Sequence, residues 1–251
     1  MSGWWIYPDL FLASLVAGFV DSVAGGGGLI TLPMLLAVGL NPPLALGTNK
    51  LQSTFGSGSA SLIYVSKGII TWRECVAGFA WTFVGAGAGA WEVQRLPADL
   101  LGKIIPCLLT VILLILLANP KLGHRQAVPR LSRPVFHFIF GLGLGFYDGF
   151  FGPGTGTFWA MAYVLLLGLD LTRATGQTKV MNFASNLSAL LFFCAGGKVD
   201  YAIGLVMGAG QFLGGRLGSK MVVARGVKFI RPLLLAVAFA ITIKLFWSQW
   251  R

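Results

Sequence analysis

Between Leu100 and Ala118 the chain reads LLGKIIPCLLTVILLILLA, and between Pro232 and Trp247 it reads PLLLAVAFAITIKLFW. A helix needs about 20 such residues to cross a bilayer. In lipid every backbone polar group must be satisfied internally, so only helical bundles and closed barrels span it. Barrel strands alternate apolar and polar residues, whereas here the apolar residues come in blocks. The whole chain has the same character: 56% of its 251 residues are hydrophobic and 11% are charged. About 25% charge is usual for a soluble domain, and too little polar surface is present to cover a globule of this size. Disorder is excluded by the same numbers. The sequence predicts an all-α polytopic membrane protein.

The N-terminal MSGWWIYPDLF has no basic leader or small-residue cleavage site, so its apolar segment is expected to be retained. Trp4, Trp5 and Tyr7 suit an interfacial anchor. Three cysteines, Cys75, Cys107 and Cys194, and two histidines, His124 and His137, show no metal-ligand or disulfide spacing. The net charge of +11 reads as loop charge on the cytoplasmic side, not as a nucleic-acid surface.

The chain repeats itself. Gly18-Phe19-Val20-Asp21 returns as Gly145-Phe146-Tyr147-Asp148, each followed by a glycine cluster, Gly25-Gly26-Gly27-Gly28 and Gly152-Pro153-Gly154-Thr155-Gly156. Farther on, Gly39, Lys50, Gly68, Trp72, Gly85 and Gly89 correspond to Gly168, Lys179, Gly197, Tyr201, Gly214 and Gly218. This predicts a first repeat over 1–118, a cytoplasmic linker over 119–133 and a second repeat over 134–251. Each has four apolar elements, near 9–37, 43–66, 73–92 and 100–118, then 134–168, 172–196, 200–222 and 229–248. The first element of each repeat is broken at its glycines.

The 19 Lys and Arg residues decide between two topologies. If all eight elements span, 9 basic residues lie on the linker side and 10 opposite. If each broken element is re-entrant, the division is 13 to 6, in line with the excess of basic residues on cytoplasmic loops. Each repeat then crosses three times and the two face opposite ways, as in inverted-repeat transporters. Both termini are expected outside, in the periplasm.

The stretches DSVAGGGGLITLP (21–33), LNPPLALGTNK (40–50) and GFYDGFFGPGTG (145–156) resemble the TauE/SafE sulfite exporter family, also called the toluene sulfonate uptake permease (TSUP) family, in its broad bacterial subgroup. The resemblance covers nearly the whole chain. It implies a multi-pass inner-membrane transporter of sulfite, sulfonates or related sulfur-containing anions.

The residues suit such cargo. Helix N-termini carry unpaired N–H donors and about half a positive charge, and glycines let the backbone approach an anion. Gly25, Gly26, Gly27, Gly28, Gly152, Gly154, Thr155 and Gly156 are therefore candidate binding residues, with helices restarting near Leu29 and Thr157 and hydroxyls from Thr31 and Thr157. A second set, Thr48, Asn49, Lys50, Gln52 and Ser53, with Gln177, Thr178, Lys179 and Asn182 in the second repeat, forms donor-rich stripes at helical spacing. The lysines suit either anion contact or snorkelling to the interface. Asp21 and Asp148 suit either proton coupling or a structural cap on the broken helix. Gly85, Gly87, Gly89, Gly214, Gly215 and Gly218 are expected to serve close helix packing.

The functions that follow are a secondary transporter of a small anion working by alternating access, an anion channel on the same scaffold, or an intramembrane redox or assembly protein. No convergent nucleophile and base argues for an enzyme. A small anion and the bilayer are the expected partners; no cofactor, metal or nucleic acid is expected, and a homodimer stays open.

Overall fold

The structure, a computed structural model, describes residues 4–118 and 128–226; the predicted last element (229–248) and most of the linker lie outside them. The described residues form helices and no strand. These are α1 (Ile6–Ala24), α2 (Gly28–Ala37), α3 (Pro42–Ser66), α4 (Trp72–Val93), α5 (Ala98–Ala118), α6 (Arg133–Phe150), α7 (Thr155–Leu167), α8 (Leu171–Ala195) and α9 (Tyr201–Arg225). The breaks fall at the glycine clusters, with α2 and α7 restarting at Gly28 and Thr155, within two residues of expectation.

The duplication is written in the backbone. Left-handed φ angles occur at the matched glycines Gly25 and Gly152 (80° and 102°), Gly39 and Gly168 (95° and 66°), and Gly68 and Gly197 (69° and 64°). Side chains with a Cβ rarely adopt such angles, so these glycines end the same helices in both halves. Packing repeats as well: α1 lies on α9 and its counterpart α6 on α4, while α3 and α8 pack on each other at the centre.

Glycine contacts give the directions. Gly210, Gly214 and Gly218 of α9 meet Phe11, Leu15 and Phe19 of α1 in rising order, so α1 and α9 run parallel. Gly204 and Gly208 meet Leu51 and Phe55, so α3 is parallel to α9 too. With α1 and α3 pointing the same way, the chain must double back between them, and α2 is that return. The lengths agree: ten-residue α2 covers about 15 Å, the distance from the start of α3 to roughly Gln52. By contrast Gly47 meets Phe193, Gly58 meets Phe183 and Gly176 meets Tyr64, so α3 and α8 are antiparallel.

The polarity is inverted relative to a soluble protein. Thr48, Asn49, Lys50, Gln52, Lys179, Asn182 and Ser188 are buried, while Leu12, Val16, Trp81, Val84, Leu205, Phe212 and Leu217 are exposed. Among the described residues α1 alone is both long and apolar enough to cross a membrane by composition. The 25-residue helices α3, α8 and α9 are each about 37 Å long, and polar residues facing the centre lower the hydropathy of α3 and α8. Gly85, Gly89, Gly214, Gly215 and Gly218 lie against backbone of neighbouring helices, and Gly87 against Phe192 and Ser188, the close packing expected of small residues.

Candidate functional site

The two breaks meet. A Cβ at Gly25 would lie 2.5 Å from the carbonyl carbon of Gly156, and one at Gly156 would lie 2.6 Å from Gly25 Cα. Gly28 faces Pro153 across the same junction. The N-termini of α2 and α7 open here, on Gly27 and Gly154, which have no side chain to cap them. Tyr147 holds the second cluster in place by donating from its hydroxyl to the Pro153 carbonyl at 2.7 Å.

Behind the breaks the repeats exchange charges. Lys50 Nζ donates to Asp148 Oδ1 at 2.7 Å and also to the Asp148 carbonyl. Lys179 Nζ donates to Asp21 Oδ2 at 3.1 Å and also to the Asp21 carbonyl. Each lysine thus binds the last turn of the broken helix of the opposite repeat. Both lysines are buried, 1% and 0% exposed, so neither snorkels. The aspartates differ. Asp148 is supported on Oδ2 by the Ser185 hydroxyl, whereas Asp21 Oδ1 accepts from the Gly27 amide at 3.2 Å. Asp21 therefore bridges its own helix break and is ion-paired at the same time.

A cavity of about 30 Å³ lies at the junction, bounded by Asp21, Gly25, Gly28, Asn49, Lys50, Ser53, Asp148, Gly152, Gly154, Thr155, Gly156, Asn182 and Asn186. It has room for about one or two water molecules. Asn49 Oδ1 accepts from Thr31 Oγ1 at 2.7 Å and from Gln52 Nε2 at 2.8 Å. With its acceptor engaged, the Asn49 amide has its NH₂ donors left for the cavity. Asn182 is 5% exposed and its Oδ1 has no partner among the described residues. A buried acceptor without a partner is costly; a donor such as water in the cavity satisfies it, whereas an oxyanion does not.

Most of the expected residues converge here, and some do not. Gln52 supports Asn49 from behind. Lys179 sits behind Asp21. Gly26, Gly27 and Thr178 lie outside the lining; Thr178 is buried with its hydroxyl unpartnered. Thr48 and Gln177 are turned to opposite ends of the bundle. Thr48 Oγ1 accepts from the Asp200 amide at 2.9 Å, and Gln177 donates to Glu74, which also pairs with Arg173 at 3.1 Å. Ser185 and Asn186 escape the sequence reading. Their spacing from Asn182, three and four residues, extends the same stripe by one turn.

The sequence profile described as sulfite exporter TauE/SafE matches residues 10–245. The chain is 45% identical over 240 residues to a probable membrane transporter protein, YfcA, of Escherichia coli K12, covering 96% of this chain and 89% of the relative. A probable membrane transporter protein of Haemophilus influenzae is 43% identical, covering 96% and 94%. Probable membrane transporter protein YdhB of Bacillus subtilis is 26% identical, covering 89% and 94%. No solved structure matches the chain.

Proposed function

This chain belongs to the sulfite exporter TauE/SafE family of membrane transporters, and from that premise we propose that it carries a small sulfur-containing oxyanion across the inner membrane by alternating access. The observation that carries the reading is the meeting of two helix N-termini that start on glycine, one from each repeat, at a buried cavity edged with amide donors. Oxyanion oxygens only accept hydrogen bonds, and N–H groups at helix starts are suited to them without a metal. The apolar class of cargo is disfavoured by the same lining.

The antiparallel relation of α3 and α8 supports inverted repeats. With α2 and α7 as returns, each repeat has a re-entrant hairpin followed by crossing helices. The ends that carry Lys67, Arg73, Arg130, Arg133, Arg173 and Arg225 gather at the linker side, with Arg95, Lys103 and Lys198 opposite. That asymmetry supports a cytoplasmic linker. Because the cavity has room only for water, the arrangement is read as an occluded state, and loading requires one repeat to move against the other.

Reconstitution into proteoliposomes tests the reading. Saturable flux of sulfite, thiosulfate or methanesulfonate, lost in Asn49→Ala with Asn182→Ala, is the expected result. Non-saturating current would assign a channel instead, and no flux of any of the three would overturn the choice of cargo.

A further inference from the structure

The charges at the junction cancel. Lys50 and Lys179 are matched by Asp148 and Asp21, so an added anion meets no net positive charge, and burying an uncompensated charge is costly. The two carboxylates also occupy donors that an anion needs. Asp21 Oδ1 takes the Gly27 N–H at the start of α2, and Oδ2 takes Lys179. The carboxylate is in effect a tethered anion already seated at the helix N-terminus.

The two pairs are not equivalent. Asp148 is 5% exposed as a side chain and has the Ser185 hydroxyl on its second oxygen. At the position matching Ser185 the first repeat has Gly56, and the Asp21 side chain is 22% exposed beside the cavity. The surroundings of Asp21 are otherwise weakly charged. From α8 comes Lys179; from α3 comes Tyr64, whose hydroxyl donates to the Ser22 carbonyl. At this level α9 presents Gly218 and Ser219, with Arg216, Lys220 and Arg225 on its exposed face. The titratable side chain of α7 is Tyr163, buried farther along that helix. Lys50 and Asp148 complete the set across the cavity.

We infer that cargo binds together with one proton taken by Asp21, so that anion and proton share the site and cross in the same direction. The inference rests on the anion reading above. When a proton from the entry side adds to the Asp21 carboxylate, its hold on the Gly27 N–H and on Lys179 weakens. The anion in the cavity is then balanced by the positive charge of Lys179, which Asp21 no longer cancels. Proton plus monoanion add no net charge. On the exit side the proton leaves, the carboxylate regains its donors, and the anion is displaced. Asp148 keeps its contacts with Lys50 and Ser185 and holds the repeats together.

The test uses purified full-length protein and monoanions that stay ionised between about pH 5 and 8, methanesulfonate and ethanesulfonate, with affinity read from the ligand-induced rise in Tm. One coupled proton makes the apparent affinity rise about tenfold for each pH unit lowered over the range where Asp21 is ionised. Asp21→Asn should bind with a flat pH profile at the wild-type low-pH affinity, and Glu74→Gln, away from the cavity, should keep the slope. A wild-type profile already flat, or an unchanged slope in Asp21→Asn, overturns the inference while leaving the anion site standing. Failure of both anions to raise Tm at any pH in wild type removes the anion reading itself. If Asp21→Asn does not fold, Asp21→Asn with Lys179→Gln, which leaves no lysine stranded, should show the flat profile at weaker affinity. Independently, adding methanesulfonate to weakly buffered wild-type protein should take up one proton per anion bound, and no uptake on binding contradicts the coupling.

Discussion

Lys50 and Asp148 stand 98 residues apart in the chain and 2.7 Å apart in the fold, on helices of different repeats. Removing one partner of a buried pair leaves an uncompensated charge and costs about 3–5 kcal/mol. Lys50→Met and Asp148→Asn are each expected to destabilise by that order, and the double variant to recover most of the loss. Thermal unfolding of the four proteins in detergent, as a double-mutant cycle, measures it; additive losses would show that the pair is not a unit.

The glycine junction predicts a separation of activity from folding. Gly25→Ala places a Cβ against Gly156 at a left-handed φ of 80°, so the breaks can no longer meet and transport should fall at least tenfold. Gly39→Ala has a comparable φ of 95° but open space around it. It should cost about 1 kcal/mol in backbone strain and leave transport intact. Transport assays and Tm on both variants check this, and equal transport in the two would deny the junction its role.

Charge placed among the cavity donors should be worse than their loss. Asn49→Asp keeps the size and the acceptor for Thr31 and Gln52 but adds a negative charge where cargo sits. Anion affinity is expected to drop at least tenfold below that of Asn49→Ala. The reverse ranking, read from anion-induced Tm shifts, would mean that the cargo is not anionic.

The Glu74–Arg173 pair lies at the linker end and is 24% and 41% exposed. Partly exposed pairs contribute little, about 0–1 kcal/mol, so Glu74→Gln should change Tm only slightly. Sidedness is checked by one added cysteine at Lys67 or at Lys198 in a chain lacking Cys107 and Cys194 and keeping only the buried Cys75. An impermeant thiol reagent applied outside intact cells should label the Lys198 position and not the Lys67 position. Equal labelling would refute opposite orientations.

Much of this fold was legible because glycine carries backbone information. The tandem Gly-Phe-x-Asp motif with its glycine cluster located both breaks within two residues, and Gly68 with Gly197 lie just past the ends of α3 and α8. Helical spacing likewise grouped Asn49, Ser53 and Asn182 on the cavity. The partners of charged residues were not legible. Nothing in the local pattern says that Lys50 reaches Asp148, because the reach depends on how two distant repeats dock. Thr48 and Gln177 were grouped with their neighbours for the same reason. Thr48 is one residue from cavity-facing Asn49, about 100° of rotation away, and Gln177 is two residues from Lys179; they are captured by a loop and by a neighbouring helix. Ser185 became readable only once its carboxylate partner was known.

The crosswise pairing has a bearing on biogenesis. While the first half is being inserted, Lys50 and Asp21 have no counter-charge, since their mates at 148 and 179 have yet to be made. The nascent half must wait in the bilayer with a bare cation and a bare anion until the second half arrives. Severed halves should therefore be scavenged by quality-control proteases when made alone and persist when made together.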